Sequence, residues 1–249
     1  NTATKIQKLI VSNDSTVPVF DHTGDLPDIV VEATSVLTAA SLNTITATDD
    51  GQTLTAVADN VGPYAVGTHV ITWTVTDAGG NSSTAQQNVI INDTTAPVIT
   101  GSTSMTLEAN GQQSSLPSDS VSAVDLVDGD VVTLTYEPSV LSVGDNVITW
   151  TATDTAGNVA TLVQTVEVLD STTPMFGQLP VVTLDATGHL TLVSSDTIGQ
   201  VMASDIVDGM LDAQITSDTL LESGINEVTW QVTDAAGNTS EAQQVIHIN

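Results

Sequence analysis

Cysteine is absent from the 249 residues, which excludes disulfides, thiolate metal sites and thiol catalysis together. Positive charge is almost absent as well: Lys plus Arg number 2 against 30 Asp plus Glu, for a formal charge of -28. Both basic residues, Lys5 and Lys8, lie in the first eight positions, so no fixed positive charge occurs from Leu9 to Asn249. Nucleic-acid and anionic-membrane affinity both depend on Lys and Arg meeting phosphates, and neither partner fits this chain. No run approaches the roughly 18 apolar residues of a membrane span, so membrane insertion is not expected. The opening NTATKIQKLI lacks the apolar core of a signal peptide, and the chain reads as mature or as excised from something longer. Aromatic residues make up only 3% of the chain, too few to build a sugar-stacking surface.

What is present is apolar and β-branched. Hydrophobic residues reach 40%, too many for a disordered acidic tail. Thr (40) and Val (33) together fill 73 positions, and both suit a pleated surface better than a helix. The expectation is an all-β protein. Its carboxylates have almost no cationic partners in the chain and repel one another unless salt or bound cations neutralise them.

Three segments repeat: VITWTVTDAGGN from Val70, VITWTATDTAGN from Val147 and EVTWQVTDAAGN from Glu227. A second marker, NDSTVPVF, NDTTAPVI and LDSTTPMF, shares the period through Asp14, Asp93 and Asp170. Counting from those aspartates gives units of 79, 77 and 80 residues: 14–92, 93–169 and 170–249, with a stub at 1–13. A period near 78 is too long for a solenoid coil and matches a sandwich of about seven short strands. Within each unit the Trp strand alternates apolar with polar residues, as in Ile71, Trp73 and Val75, and the following DxxGN turn supplies residues that tolerate positive φ. The fold expected is three tandem immunoglobulin-like β-sandwiches in an extended rod. The three tryptophans, Trp73, Trp150 and Trp230, belong to the apolar face.

The order DTTAPVIT, LEA, AVDLVDGD and VGDNVITWTATDTAGN resembles the hyalin repeat and its bacterial immunoglobulin-like relatives. The resemblance covers nearly all of the middle unit and, more loosely, the other two. It implies a secreted or cell-surface protein of adhesin type. The cysteine pair usual in animal hyalin repeats is missing, its positions being taken by His22, Gly101 and Gln178 and by Ala85, Leu162 and Ala242. The acidic loop of the first unit is shortened to ATDDG.

Strand order in such a sandwich brings certain loops to one end. For the middle unit Asp125, Asp128 and Asp130 should lie beside Asp154 and Asn158, with linker Asp93 and, from the preceding unit, Glu32. The second set is Glu108, Asp170, Asp205, Asp208, Asp234 and Asn238; in the first unit the counterparts are Asp14, Asp49, Asp50, Asp77 and Asn81. About six oxygen ligands without His or Cys suit a hard cation, and calcium accepts such a loop site more readily than magnesium. Asp, Asn and Gly are also ordinary turn residues, but here they recur at one place in each unit.

No GxSxG elbow or paired histidine ligands occur, and an active site is not normally repeated three times, so an enzyme is not expected. The function expected is a stalk or fibre segment rigidified by calcium at interdomain junctions, with neighbouring repeats or subunits as partners. The stub's KIQKLIVS reads first as the last strand of a preceding repeat in a longer array; the alternatives for function are a calcium-dependent module binding a surface glycan or protein, and a subunit polymerising by donation of that strand. A ligand-binding unit should carry an insertion, and units of 79, 77 and 80 residues carry none.

Overall fold

The structure is a computed structural model that describes residues 14–117 and 120–249; the proposed donor strand lies outside these. Among the described residues it is all-β but for one four-residue helix, in keeping with the Thr and Val content. The first repeat contains β1 (Val19–Phe20), β2 (Ile29–Glu32), β3 (Thr46–Asp49), β4 (Gln52–Thr55), β5 (Val57–Ala58), β6 (Gly67–Thr76) and β7 (Ser82–Asn92). The second has β8 (Val98–Gly101), β9 (Ser104–Glu108), β10 (Val121–Val124), β11 (Thr133–Glu137), β12 (Gly144–Thr153) and β13 (Val159–Leu169). The third has β14 (Met175–Phe176), β15 (Val182–Leu184), β16 (Thr191–Leu192), α1 (Ser195–Ile198), β17 (Met202–Asp205), β18 (Gly209–Asp212), β19 (Gln214–Ile215), β20 (Leu220–Leu221), β21 (Gly224–Thr233) and β22 (Thr239–Ile248).

One four-stranded sheet recurs with the same plan: β2-β7-β6-β5, β9-β13-β12-β11 and β15-β22-β21-β19. Its first strand runs parallel to the last, so that Glu32 lies opposite Asn92, Glu108 opposite Leu169 and Leu184 opposite Ile248. A smaller sheet, β1-β3-β4, β8-β10 or β14-β17-β18, accompanies each. The Trp strand and its successor are joined by the DxxGN turn, in which Gly80, Gly157 and Gly237 have φ of 90°, 91° and 95°. A side chain at these positions would strain the backbone.

The alternation read from the sequence is the burial pattern. Trp73, Trp150 and Trp230 are core, as are Ile71, Val75, Ile148, Val228 and Val232. Each indole N–H donates to a buried glutamine: Trp73 to Gln87 at 3.0 Å, Trp150 to Gln164 at 2.9 Å and Trp230 to Gln244 at 2.9 Å. The glutamine amides in turn donate to the carbonyls of Pro27, Ser102 and Pro180 at 2.8, 2.8 and 3.1 Å. This satisfies a polar chain inside an apolar core, where an unpaired group would cost about 1–3 kcal/mol.

Contacts gather the described residues into two compact units. One holds residues up to Val98 with the loops 123–133 and 152–160; the other holds 99–122, 134–151 and 161–249. In the first, Val127 of the DLVDGD loop is 7% exposed and joins the cluster of Leu26, Ala33, Tyr64 and Ile91. In the second, Val207 of the DIVDG loop packs against the cluster containing Leu116, Leu141 and Val168. An apolar residue in an acidic loop thus plugs the base of the repeat before it.

Candidate metal centres

Linker, loop and turn meet for local reasons. Because β2 pairs with β7 in parallel register, the Glu32 side chain stands at the point where the chain leaves β7. Its Oε1 accepts the Thr94 N–H at 2.8 Å and the Thr95 hydroxyl at 3.1 Å, and its Oε2 accepts the Thr94 hydroxyl at 3.0 Å. The Thr94 N–H is the chief cause that holds Glu32 below the usual carboxylate range. Glu108 repeats the contact once, accepting the Ser171 N–H at 2.8 Å. In these positions the two glutamates act on the linker.

The turn contributes a paired Asp and Asn. Asn158 donates its N–H to Asp154 Oδ1 at 2.7 Å and its amide to Asp154 Oδ2 at 2.8 Å, and the same amide reaches the Asp93 carbonyl at 3.2 Å. Asn238 does the same with Asp234 and the Asp170 carbonyl, and Asn81 with Asp77 and the Asp14 carbonyl. The asparagines therefore orient the aspartate and tether the linker through their donors. Burial raises Asp154, but the Asn158 side chain and the N–H groups of Asn158, Gly157 and Ala156 outweigh it and hold the carboxyl below its ordinary range. For Asp77 the Asn81 side chain is the main cause of a lowered value.

The acidic loop supplies the inner ligand candidate. Asp125 Oδ1 accepts the N–H groups of Val127 and Asp128 at 2.7 and 3.0 Å, and Asp205 Oδ1 those of Val207 and Asp208 at 2.7 and 2.9 Å. The same turn that aims the carboxylate also presents the valine plug. Asp128 accepts the Thr155 N–H at 2.7 Å and Asp208 the Ala235 N–H at 2.8 Å, which ties the acidic loop to the hairpin turn.

Among the described residues three carboxylate groups converge, each with ligand atoms within 4.8 Å of one another: Asp14, Asp49 and Asp50; Asp93, Asp125 and Asp154; Asp170, Asp208 and Asp234. Of the residues expected at the sites, Asp77, Asp128, Asp130, Asp205, Glu32, Glu108 and the asparagines lie outside these groups. Asp130 is exposed beyond the loop, and Asp50 sits at the shortened turn with φ of 44°. Burial, then repulsion from Asp125, Asp154 and Asp128, raises Asp93 against the pull of the Thr95 N–H. Asp49 is raised chiefly by burial. Asp205 falls because the N–H groups of Asp208, Val207 and Ile206 outweigh burial. A cleft of about 290 Å³ lined by Val36, Ala65, Val66, Asp93, Asp128 and Thr155 opens at the second group.

Sequence reasoning missed the linker threonines. Thr16, Thr95 and Thr172 each stand two residues after Asp14, Asp93 and Asp170 and donate their N–H back to that aspartate at 2.9, 3.2 and 3.2 Å. The shared D-x-T in NDST, NDTT and LDST carries that signal.

These features define an all-β repeat with acidic ends. Residues 92–168 match the HYR domain. An uncharacterized 81.3 kDa protein of Acholeplasma phage L2 is 28% identical over 193 residues, 72% of this chain. The chain spans about a quarter of that relative's length, 26%. Similar solved structures include human CDH23 EC21-23, at 17% identity and a TM-score of 0.34, covering 93% of this chain and 100% of that one. Protocadherin Gamma B2 extracellular cadherin domains 1-5 are 14% identical with a TM-score of 0.33, over 93% of this chain and 60% of theirs.

Proposed function

We propose that this chain is a stretch of an extracellular, adhesion-type stalk in which three immunoglobulin-like repeats, 14–92, 93–169 and 170–249, are stiffened by calcium bound at their acidic ends. The HYR match of the middle repeat supports an adhesion-type module acting outside the cell. The observation that carries the calcium reading is the convergence of Asp93, Asp125 and Asp154, with ligand atoms within 4.8 Å. Such a group needs a positive partner, and the chain offers no fixed positive charge after Lys8. Calcium accepts 6–8 oxygens in a flexible shell; the aspartates supply part of it and the neighbouring carbonyls and water the rest. Its role is structural, and no catalytic group is assigned. The partners are adjacent repeats of the same protein or of a second copy.

Thermal unfolding of the chain in excess EGTA, then with calcium or magnesium added back, tests this. At millimolar calcium and a Kd of about 10–100 μM, each ion adds about 1.4–2.7 kcal/mol. The melting temperature should rise by several degrees with calcium and less with magnesium. Identical curves under all three conditions sink the reading.

A further inference from the structure

We infer that the three acidic groups load in order, and that the group of Asp93, Asp125 and Asp154 takes its cation first because Asp125 Oδ2 is held bare for it. The inference rests on the calcium reading above and concerns which site leads.

The linker threonine makes the difference. In the first group Thr16 Oγ1 stands 2.7 Å from Asp14 Oδ1 and 3.1 Å from Asp49 Oδ1, so its hydroxyl serves the aspartates. In the third, Thr172 Oγ1 stands 2.8 Å from Asp170 Oδ1 and 3.5 Å from Asp205 Oδ2. In the second, Thr95 turns away and donates to Glu32 Oε1 at 3.1 Å. Asp125 is left 3% exposed, and its Oδ2 is buried with no hydrogen-bond partner among the described residues. Its other oxygen is held in place by two N–H groups, so the bare oxygen cannot swing out to water without breaking them.

A buried carboxylate oxygen without a donor is an unmet cost in the protein alone. A cation at the second group removes that cost and displaces no hydroxyl from Asp125. At the third group an ion competes with the Thr172 hydroxyl for Asp170 Oδ1. A cleft lined by Asp93 and Asp128 lies beside the second group. First occupancy there sets the loop that carries Val127, so the leading ion acts on the plug of the first compact unit.

Calorimetric titration of the chelator-stripped chain with calcium chloride tests the order, using the wild type and the variants Asp125→Asn, Asp205→Asn and Thr172→Val. The wild type should show one ion bound ahead of the others. Asp125→Asn should weaken that first ion by about tenfold or more, while Asp205→Asn should leave it within about twofold. Thr172→Val keeps the β-branched shape, removes the competing hydroxyl and should tighten a later ion. Loss of the first ion in Asp205→Asn but not in Asp125→Asn overturns the order, as does a single class of ions insensitive to Asp125→Asn. If Asp125→Asn fails to fold, an unaltered later ion in Thr172→Val overturns it instead. Absence of any calcium binding by the wild type is a separate outcome that overturns the calcium reading itself and the order with it.

Discussion

Gln244 lies fourteen residues after Trp230 and accepts its indole N–H at 2.9 Å, so the two largest side chains of the pair fix each other across neighbouring strands. The same spacing recurs for Trp73 with Gln87 and Trp150 with Gln164. Gln244 is 1% exposed and also donates to the Pro180 carbonyl, which anchors the chain just before β15. Replacing Gln244 with Leu keeps the volume but leaves the indole N–H and that carbonyl unpaired. Urea unfolding should show a loss of about 2–4 kcal/mol. A loss below about 0.5 kcal/mol would mean that water or a neighbour replaces the relay.

The Val127 plug is the second target. Its burial in the cluster of Leu26, Ala33 and Ile91 means that Val127→Ala opens a gap at the base of the first repeat. The expected loss is about 1–2 kcal/mol, whereas the same change at exposed Val131 in that loop region should stay within about 0.5 kcal/mol. Equal effects at the two valines would show that Val127 does not pack as described.

Glu32 and Glu108 hold the linkers by hydrogen bonds that do not need an ion. In Glu32→Ala the Thr94 N–H should lose its protection from hydrogen exchange, and in Glu108→Ala the Ser171 N–H should do so, each at its own linker only. Unchanged exchange in EGTA would rule out this clamp.

Asp21 provides a test by pH outside the acidic groups. The hydroxyls of Thr46 and Thr48 hold its carboxyl below the ordinary value of 3.8, with Thr48 Oγ1 at 2.6 Å. A lowered value means that the carboxylate form is favoured in the fold. Its contribution is present above pH 3.8 and is lost as the pH falls through the folded value. Carbon-detected NMR titration should place the Asp21 midpoint under 3.8, and Thr48→Val should move it upward. A midpoint at or above 3.8 in the wild type contradicts the contact.

Much of this was legible in the sequence because it rests on short-range rules. Alternation at Ile71, Trp73 and Val75 gave the core face, and Asp, Asn and Gly at fixed places gave the turns that carry Asp154 and Asp234. The Gln relay was not read, although Gln recurs fourteen positions after each Trp, because glutamine is ordinarily a surface residue and nothing local says that it turns inward. Val127 and Val207 were hidden for the opposite reason: an apolar residue inside DLVDGD or DIVDG looks incidental until the loop is seen against the repeat before it. The choice of Thr95 between Asp125 and Glu32 depends on three separate segments meeting, which no linear pattern records.

The parallel register of the first and last strands has a mechanical meaning. Tension entering a repeat ahead of β2 and leaving after β7 pulls the two strands along their length in opposite directions. The backbone bonds between Ile29–Glu32 and Val89–Asn92 are then loaded together in shear, and they cannot be opened one at a time from an end. The same holds for Ser104–Glu108 against Thr165–Leu169. Each repeat therefore resists being drawn out most strongly along the direction in which its own chain enters and leaves.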